Sequence, residues 1–210
     1  HSTSRRQRQM CIRDSYNHPS IYIWGILNEC ASDTAYGREC YKTQLELIKS
    51  LDVTRPRSFS SCRFKTDICF DLVDVVSYNI YPKWYHNTPV AMYLDDLYKW
   101  VQTTGGAGKP FLITEVGAGA IYGYRTPAKV KWSEEYQVLA LEEQLGAILS
   151  YKDCSGVYIW QFCDVRVTND WWNTRPRTMN NKGIVDEYRR PKLSYETVKR
   201  IFGSVDTYRK

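Results

Sequence analysis

The sequence lacks the features that would place it in several large protein classes. No stretch reaches the roughly 18–20 consecutive apolar residues of a membrane-spanning helix, and residues 1–15 do not have the pattern of a signal peptide. The charge excess is small, since 29 Lys and Arg oppose 23 Asp and Glu and leave +6. A nucleic-acid footprint needs a clustered basic face, and the only dense basic run lies in the first 15 residues. We therefore expect neither a membrane nor a nucleic acid as a partner.

Patterns that bind metals or form disulfides are also missing. The 7 Cys are an odd number and contain no Cys-x-x-Cys pair, and only 3 His are present. We expect no metal site, and we interpret the cysteines as reduced, mostly buried thiols. Reduced thiols are typical of a cytoplasmic protein, so we expect a cytoplasmic location.

Apolar runs alternate with amphipathic stretches from Tyr16 onward, and the near-continuous apolar run over 21–29 is typical of a strand buried on both faces. Their periodicity predicts strands over 21–29, 57–63, 75–81, 111–117 and 156–164, and helices over 36–50, 90–102, 134–150 and 193–202. Asp33 or Thr34 can cap the first helix and Ser133 the third. This alternation favours an α/β fold with a parallel sheet covered by helices, either doubly wound or a (β/α)8 barrel. The glycine cluster at 105–108 precedes a strand instead of following one, so it is a poor phosphate loop.

Two of the predicted strands end in a glutamate. Glu29 closes the first apolar run and Glu115 closes the fourth. In a barrel the C-terminal strand ends form the active-site face, and a carboxylate there is costly unless it is hydrogen-bonded or used. Such a pair suits glycoside cleavage, in which one carboxylate attacks the sugar and the other donates a proton and then activates water. The alternative is that each is a buried, salt-bridged structural acid.

Several motifs follow one another in the order that one enzyme family has. They are Asn17-His18-Pro19-Ser20, Ile23-Trp24, Asn28-Glu29, Leu51-Asp52-Val53-Thr54-Arg55-Pro56, Asn79-Ile80-Tyr81, Thr114-Glu115, Trp132-Ser133-Glu134-Glu135-Tyr136-Gln137, Trp160-Gln161-Phe162 and Asn180-Asn181-Lys182-Gly183. Over residues 16–202 the sequence resembles glycoside hydrolase family 2. The resemblance implies part of a TIM (β/α)8 barrel, with parallel strands that resemble strands 4 to 8 and outer helices.

The resemblance also sets the expected domain organisation. We interpret residues 1–15 as a disordered or non-native basic tail, because they are polar and lack apolar periodicity. Residues 16–210 would be the C-terminal portion of a catalytic barrel, without its N-terminal strands and its β-sandwich domains. We expect the isolated 210 residues to be poorly active and the full-length parent to be able to form a homo-oligomer.

The resemblance assigns roles to individual residues. Glu29 would be the general acid/base and Glu115 the nucleophile of a retaining, double-displacement mechanism, with the two carboxyl groups roughly 5–5.5 Å apart. Further expected roles are a hydrogen bond to the sugar 2-hydroxyl for Asn28, orientation of the nucleophile for Tyr81, and shaping of the sugar pocket for Tyr85 and Trp160. This chemistry needs no cofactor, and the expected partner is a small carbohydrate substrate.

The Asn-x-Lys segment bears on which sugar is bound. Asn180 and Lys182 match a motif that holds the carboxylate of a uronic acid, which implies β-glucuronidase activity on β-D-glucuronides. The alternatives are β-galactosidase activity of the same family and, less favoured, a non-catalytic carbohydrate-binding remnant. The insert 164–179 is rich in Trp and Arg, and our hypothesis is that it contributes, through Arg177, to the aglycone or carboxylate site.

Overall fold

The computed structural model describes residues 12–205. They form two compact units: the first comprises the chain up to Asn79 together with Asp95–Leu112, and the second comprises Ile80–Leu94 and the chain from Ile113. Of the predicted tail, residues 1–11 lie outside the described residues. Residues 12–15 are helical, and the apolar Ile12 among them is buried. The polar composition of the segment does not predict this burial.

The first unit holds three parallel strands, β1 (Trp24–Asn28), β2 (Arg57–Ser61) and β3 (Val76–Asn79), with β2 between the other two. Helix α1 (Ala35–Leu51) connects β1 to β2 and buries Tyr41, Leu45 and Ile48. Of the two predicted caps it is Thr34 that accepts the Gly37 N–H, at 3.0 Å. The apolar residues lie three to four positions apart, which is why this segment forms a helix with one buried face.

Strand β4 (Phe111–Val116) begins in the first unit and continues into the second. At its start the Val76 N–H of β3 donates to the carbonyl of Pro110. At its end the carbonyl of Val116 accepts the N–H of Trp160, which directly follows β5 (Cys154–Ile159). The sheet order is therefore β1-β2-β3-β4-β5, which follows the chain. Helix α2 (Val90–Thr103) connects β3 to β4. Neighbouring strands joined by helices are the pattern of a βα barrel, as the sequence predicts.

The second unit is completed by helices α3 (Glu134–Ser150) and α4 (Leu193–Gly203). The predicted cap Ser133 accepts the Tyr136 N–H at 3.2 Å, and the two helices meet where Ser194 donates to Gln137 at 2.7 Å. The insert that follows β5 is not structureless. It contains a two-stranded antiparallel ladder of β6 (Val165–Arg166) and β7 (Met179–Asn180), with 3-10 turns over Asn169–Thr174 and Pro176–Thr178.

Two expectations about burial are wrong. Strand β3 is buried throughout, but β1, expected to be buried on both faces, is half-buried to exposed, because it stands at the end of the strand order and has a neighbour on one side only. Among the six described cysteines only Cys69 is buried, while Cys30 and Cys62 are exposed, because both follow strand ends in surface loops. No helix within 12–205 has the length and apolar character to cross a membrane.

Candidate active site

Glu29 lies in the first unit, directly after β1, and the neighbouring strand fixes its backbone. Its N–H donates to the carbonyl of Ser60 on β2 at 2.9 Å. Its φ of 53° lies in the left-handed region, which costs a non-glycine residue on the order of 1–3 kcal/mol and persists only where the surroundings enforce it. Strained backbone of this kind clusters at functional sites, and Glu29 is exposed.

Asn79, the last residue of β3, anchors the two predicted site residues of the first unit. Its Nδ2 donates to Asn28 Oδ1 and to Glu29 Oε1, each at 2.9 Å. Because Asn79 is buried and belongs to a fixed strand, it holds the two side chains next to each other. The sequence prediction gave Asn79 no role in the site, although a polar residue at the end of a buried strand is the same signal that pointed to Glu29.

Glu115 lies in the second unit, near the end of β4, and is half-buried. Its backbone carbonyl accepts the Ile80 N–H at 2.8 Å. The hydroxyl of Tyr81 donates to Glu115 Oε2 at 2.5 Å, so the carboxylate is oriented by the residue that the sequence singled out for this. Hydrogen bonds to an ionised acceptor are the shorter and stronger ones.

Lys182 is buried inside a group of aromatic rings in the second unit. It is 3% exposed, and its Nζ lies 5.1 Å from the ring centroids of Tyr81 and Tyr85 and 5.6 Å from that of Trp84. The ammonium donates to the Tyr85 hydroxyl at 3.0 Å. Burial lowers the pKa of Lys182 below its ordinary value, and the neighbouring Tyr85 only partly offsets this effect.

Arg175, from the insert, brings a second cation to the same hydroxyl. Its Nη2 donates to Tyr85 Oη at 3.2 Å. Burial alone would raise the pKa of the Tyr85 phenol, but Arg175 and Lys182 together outweigh burial and lower it. Two cations thus meet at one phenol, a grouping that suits an anionic ligand group.

The other residues of the sequence hypothesis take different places. Asn180 ends β7, and its Oδ1 accepts the Lys182 N–H at 3.3 Å, so it shapes the turn that leads to the lysine. Trp160 follows β5 and is 39% exposed, with a cis peptide bond to Gln161. Arg177, expected at the site, instead pairs with Glu187 at 3.1 Å. It is Arg175 that reaches Tyr85, whereas Arg177 lies inside the following 3-10 turn.

The described residues therefore form two clusters. The Glu29 cluster of the first unit consists of Asn28, Glu29 and Asn79. The Glu115 cluster of the second unit consists of Tyr81, Tyr85, Glu115, Arg175 and Lys182. No group of three potential metal-ligating side chains occurs among the described residues.

A parallel βα sheet with a glutamate at the C-terminal end of two strands is typical of an enzyme domain of the βα-barrel class, and a pair of carboxylates suits glycoside cleavage. The comparison with known families makes the assignment specific. The family described as "Glycosyl hydrolases family 2, TIM barrel domain" matches residues 1–207, and the chain belongs to this family. The matched range includes residues 1–15, which the sequence analysis set apart as a tail.

Individual relatives come from bacteria and mammals. A crystal structure of a GH2 β-galacturonidase from Eisenbergiella tayi bound to galacturonate is 71% identical, with a TM-score of 0.93, and covers 97% of this chain and 38% of that one. The β-D-glucuronidase of Dictyoglomus thermophilum is 26% identical, with a TM-score of 0.87, over 99% of this chain and 36% of that one. The β-glucuronidase of Rattus norvegicus is 33% identical over 87% of this chain and 28% of its own length. The chain thus spans about a third of these relatives.

Proposed function

We propose that this chain carries the catalytic residues of a retaining β-glycosidase that acts on glycosides of uronic acids. In this proposal Glu115 is the nucleophile and Glu29 the general acid/base. The family membership supports the reaction class, and the anchored carboxylates of the two clusters supply the groups that it needs. A carbohydrate-binding remnant would need neither acid.

The reaction proceeds in two displacements. In the first, an oxygen of Glu115 bonds to the anomeric carbon while the bond to the leaving oxygen breaks, and Glu29 donates its proton to that oxygen. In the second, Glu29 takes a proton from water, whose oxygen bonds to the anomeric carbon as the bond to Glu115 breaks. Tyr81 donates to Glu115 Oε2 and so helps to orient the attacking carboxylate.

The observation that carries the uronic acid assignment is the buried Lys182. An ammonium 3% exposed has aromatic rings and one phenol as its contacts, and the charge of Glu115 only partly offsets the effect of its burial, so a further opposite charge would be favoured next to it. A substrate carboxylate supplies that charge. Arg175 adds a planar, multiply donating partner on the other side of Tyr85, a geometry suited to carboxylates. A neutral galactoside would offer these cations no carboxylate.

Two uronic acids are candidates within this class. We favour galacturonides, because the 71% identical relative is a β-galacturonidase bound to galacturonate. Glucuronides are the second candidate, since curated β-glucuronidases match at up to 33% identity and the same carboxylate contact serves both sugars. The two differ at the sugar 4-hydroxyl, on which Lys182 has no direct bearing.

The domain organisation and cellular setting are proposed as well. We propose that residues 16–210 form the C-terminal portion of a longer catalytic polypeptide, because the chain spans 38% of the Eisenbergiella tayi enzyme and 28% of the rat one. A cytoplasmic location and a homo-oligomeric parent stay predictions.

The experiment replaces the matched segment of the Eisenbergiella tayi enzyme with this chain, so that every residue of both clusters comes from the present sequence. Initial rates are then measured on 4-nitrophenyl β-D-galacturonide, β-D-glucuronide and β-D-galactoside. We expect kcat/KM to be highest for the galacturonide and lowest for the galactoside. The matched variants Glu115→Gln and Glu29→Gln should each be inactive on a substrate with a poor leaving group. A preference for the galactoside, or turnover that survives Glu115→Gln, contradicts the proposal.

A further inference from the structure

An ion pair lies buried beneath the loop that carries Lys182. Lys192 and Asp164 have side chains 0% and 1% exposed, with Nζ and Oδ1 2.8 Å apart. The ammonium donates two further hydrogen bonds, to the carbonyls of Ala120 at 2.6 Å and Asn181 at 3.1 Å. All three of its donors are thus satisfied. Burial raises the pKa of Asp164 to about 6, so its carboxylate is ionised at neutral pH.

The pair engages the backbone on both sides of Lys182. Lys192 donates to the carbonyl of Asn181, directly before it, and Asp164 Oδ1 accepts the N–H of Gly183, directly after it, at 2.9 Å. These are the two residues that flank Lys182 in the chain.

Gly183 shows how little room this arrangement leaves. A β-carbon there would lie 2.3 Å from the backbone N of Asp164 and 2.3 Å from the carbonyl oxygen of Val185, so the backbone of Gly183 packs directly against these two residues. The Gln161 N–H also donates to the carbonyl of Lys182 at 3.1 Å. The start of the Lys182 side chain is therefore fixed by hydrogen bonds and by close packing.

We infer that Asp164 and Lys192 are positioning residues that set the ammonium of Lys182 for the substrate carboxylate. The inference rests on the proposed function, because it presupposes that Lys182 binds that carboxylate. A buried ion pair is weak support for stability, since its desolvation offsets its attraction. Here the pair contributes geometry instead, because its two charged groups hold the peptide groups on either side of Lys182 through directed hydrogen bonds. A well-packed apolar pair could not do this.

The variants Asp164→Asn and Lys192→Met each remove one side of the pair in the chimeric enzyme described above. A misplacement of about 1 Å in a binding group costs up to about 100-fold. We expect kcat/KM for the galacturonide to fall roughly 10- to 100-fold, mainly through a higher KM, while the rate on the galactoside changes by less than about threefold. The conservative variant Lys192→Arg should recover part of the uronide rate, because it restores the charge.

Asp52→Asn serves as the matched control. Asp52 has a side chain 0% exposed and pairs with Arg55 at 2.7 Å in the first unit, so its loss also removes a buried acid from an ion pair. We expect it to lower the melting temperature without changing the ratio of the uronide to the galactoside rate. If Asp164→Asn does not fold, Asp164→Glu keeps the charge and moves the carboxylate by one methylene, and it should still raise the uronide KM.

A second measurement does not depend on turnover. Hydrogen exchange followed by mass spectrometry should show faster exchange in peptides covering residues 180–185 of Asp164→Asn, with α3 and α4 unchanged. An unchanged ratio of rates, or equal losses on both substrates, overturns the inference, as does unchanged exchange in residues 180–185. The variant Lys182→Met distinguishes failure of the proposed function from failure of this inference. If it leaves the uronide preference intact, the proposed role of Lys182 fails. If only the Asp164 and Lys192 variants have no effect, the positioning role alone fails.

Discussion

Replacement of Lys182 by Met tests the assignment of a uronic acid substrate. Met keeps most of the length of the side chain, so the packing against Tyr81, Tyr85 and Trp84 is largely retained while the charge is removed. Loss of a buried charged contact costs about 2–5 kcal/mol when its partner remains buried. Each 1.4 kcal/mol is a factor of ten, so kcat/KM for a uronide should fall by roughly 30-fold to several thousand-fold.

The assay compares two substrates that share an aglycone, 4-nitrophenyl β-D-galacturonide and β-D-galactoside. Because the galactoside carries no carboxylate, its rate should stay the same or rise. The matched control is Lys131→Met, since Lys131 also lies over Trp84, at 5.5 Å, and donates to the Trp84 carbonyl at 2.7 Å. That variant should leave the ratio of the two rates unchanged. A parallel loss on both substrates in Lys182→Met, or no loss on the uronide, would refute the carboxylate role.

Three further outcomes are expected. Asn79→Ala removes the donor shared by Asn28 and Glu29. In initial-rate kinetics kcat should fall about 10-fold or more, with little change in KM. An unaltered kcat would contradict the anchoring role of Asn79. Burial lowers the pKa of Lys182, so the uronide KM should rise as alkaline pH removes the ammonium, whereas the galactoside KM should stay level over the same titration. Burial alone would raise the pKa of Asp52, but hydrogen bonds from Thr54, Trp24 and Arg55 outweigh it and hold that pKa well below its usual range. The stability from this group is therefore present above a pH of about 4 and lost as the pH falls toward the folded-state pKa. The free energy of unfolding should accordingly drop more steeply between about pH 4 and 2 in the parent than in Asp52→Asn. Equal slopes of this free energy against pH would contradict the reading.

The sequence was sufficient to predict the five strands of the sheet and the four helices, but not the short ladder of β6 and β7 or the end of β5 at Ile159 instead of at 164. The spacing of apolar residues and the capping side chains are local properties of the sequence. The helix predicted over 134–150, with Ser133 as its cap, therefore forms as Glu134–Ser150. The alternation of strands and helices led to the βα order in the same way. Burial was harder to predict, because the exposure of β1 depends on its place at the end of the strand order and not on its own apolar residues.

The contacts within the clusters depend on tertiary placement. Asn79 lies about 50 positions from Glu29 in the chain, and only the register of β1, β2 and β3 brings the two together. The insert shows the same limit: composition pointed to Arg177, but the 3-10 turn around Pro176 directs Arg177 to Glu187 and Arg175 to Tyr85. The role of a side chain in an irregular loop follows from turns that no periodic pattern encodes.

Trapping of the covalent intermediate tests the central claim most directly. The chimeric enzyme is incubated with 2-deoxy-2-fluoro-β-D-galacturonosyl fluoride, whose fluorine slows the second displacement, and the peptides are then mapped by mass spectrometry. The account predicts one glycosyl label per chain, on Glu115, and no label in Glu115→Gln. A label on Glu29 or on another residue, or turnover of ordinary uronides without any trapped label, would contradict it.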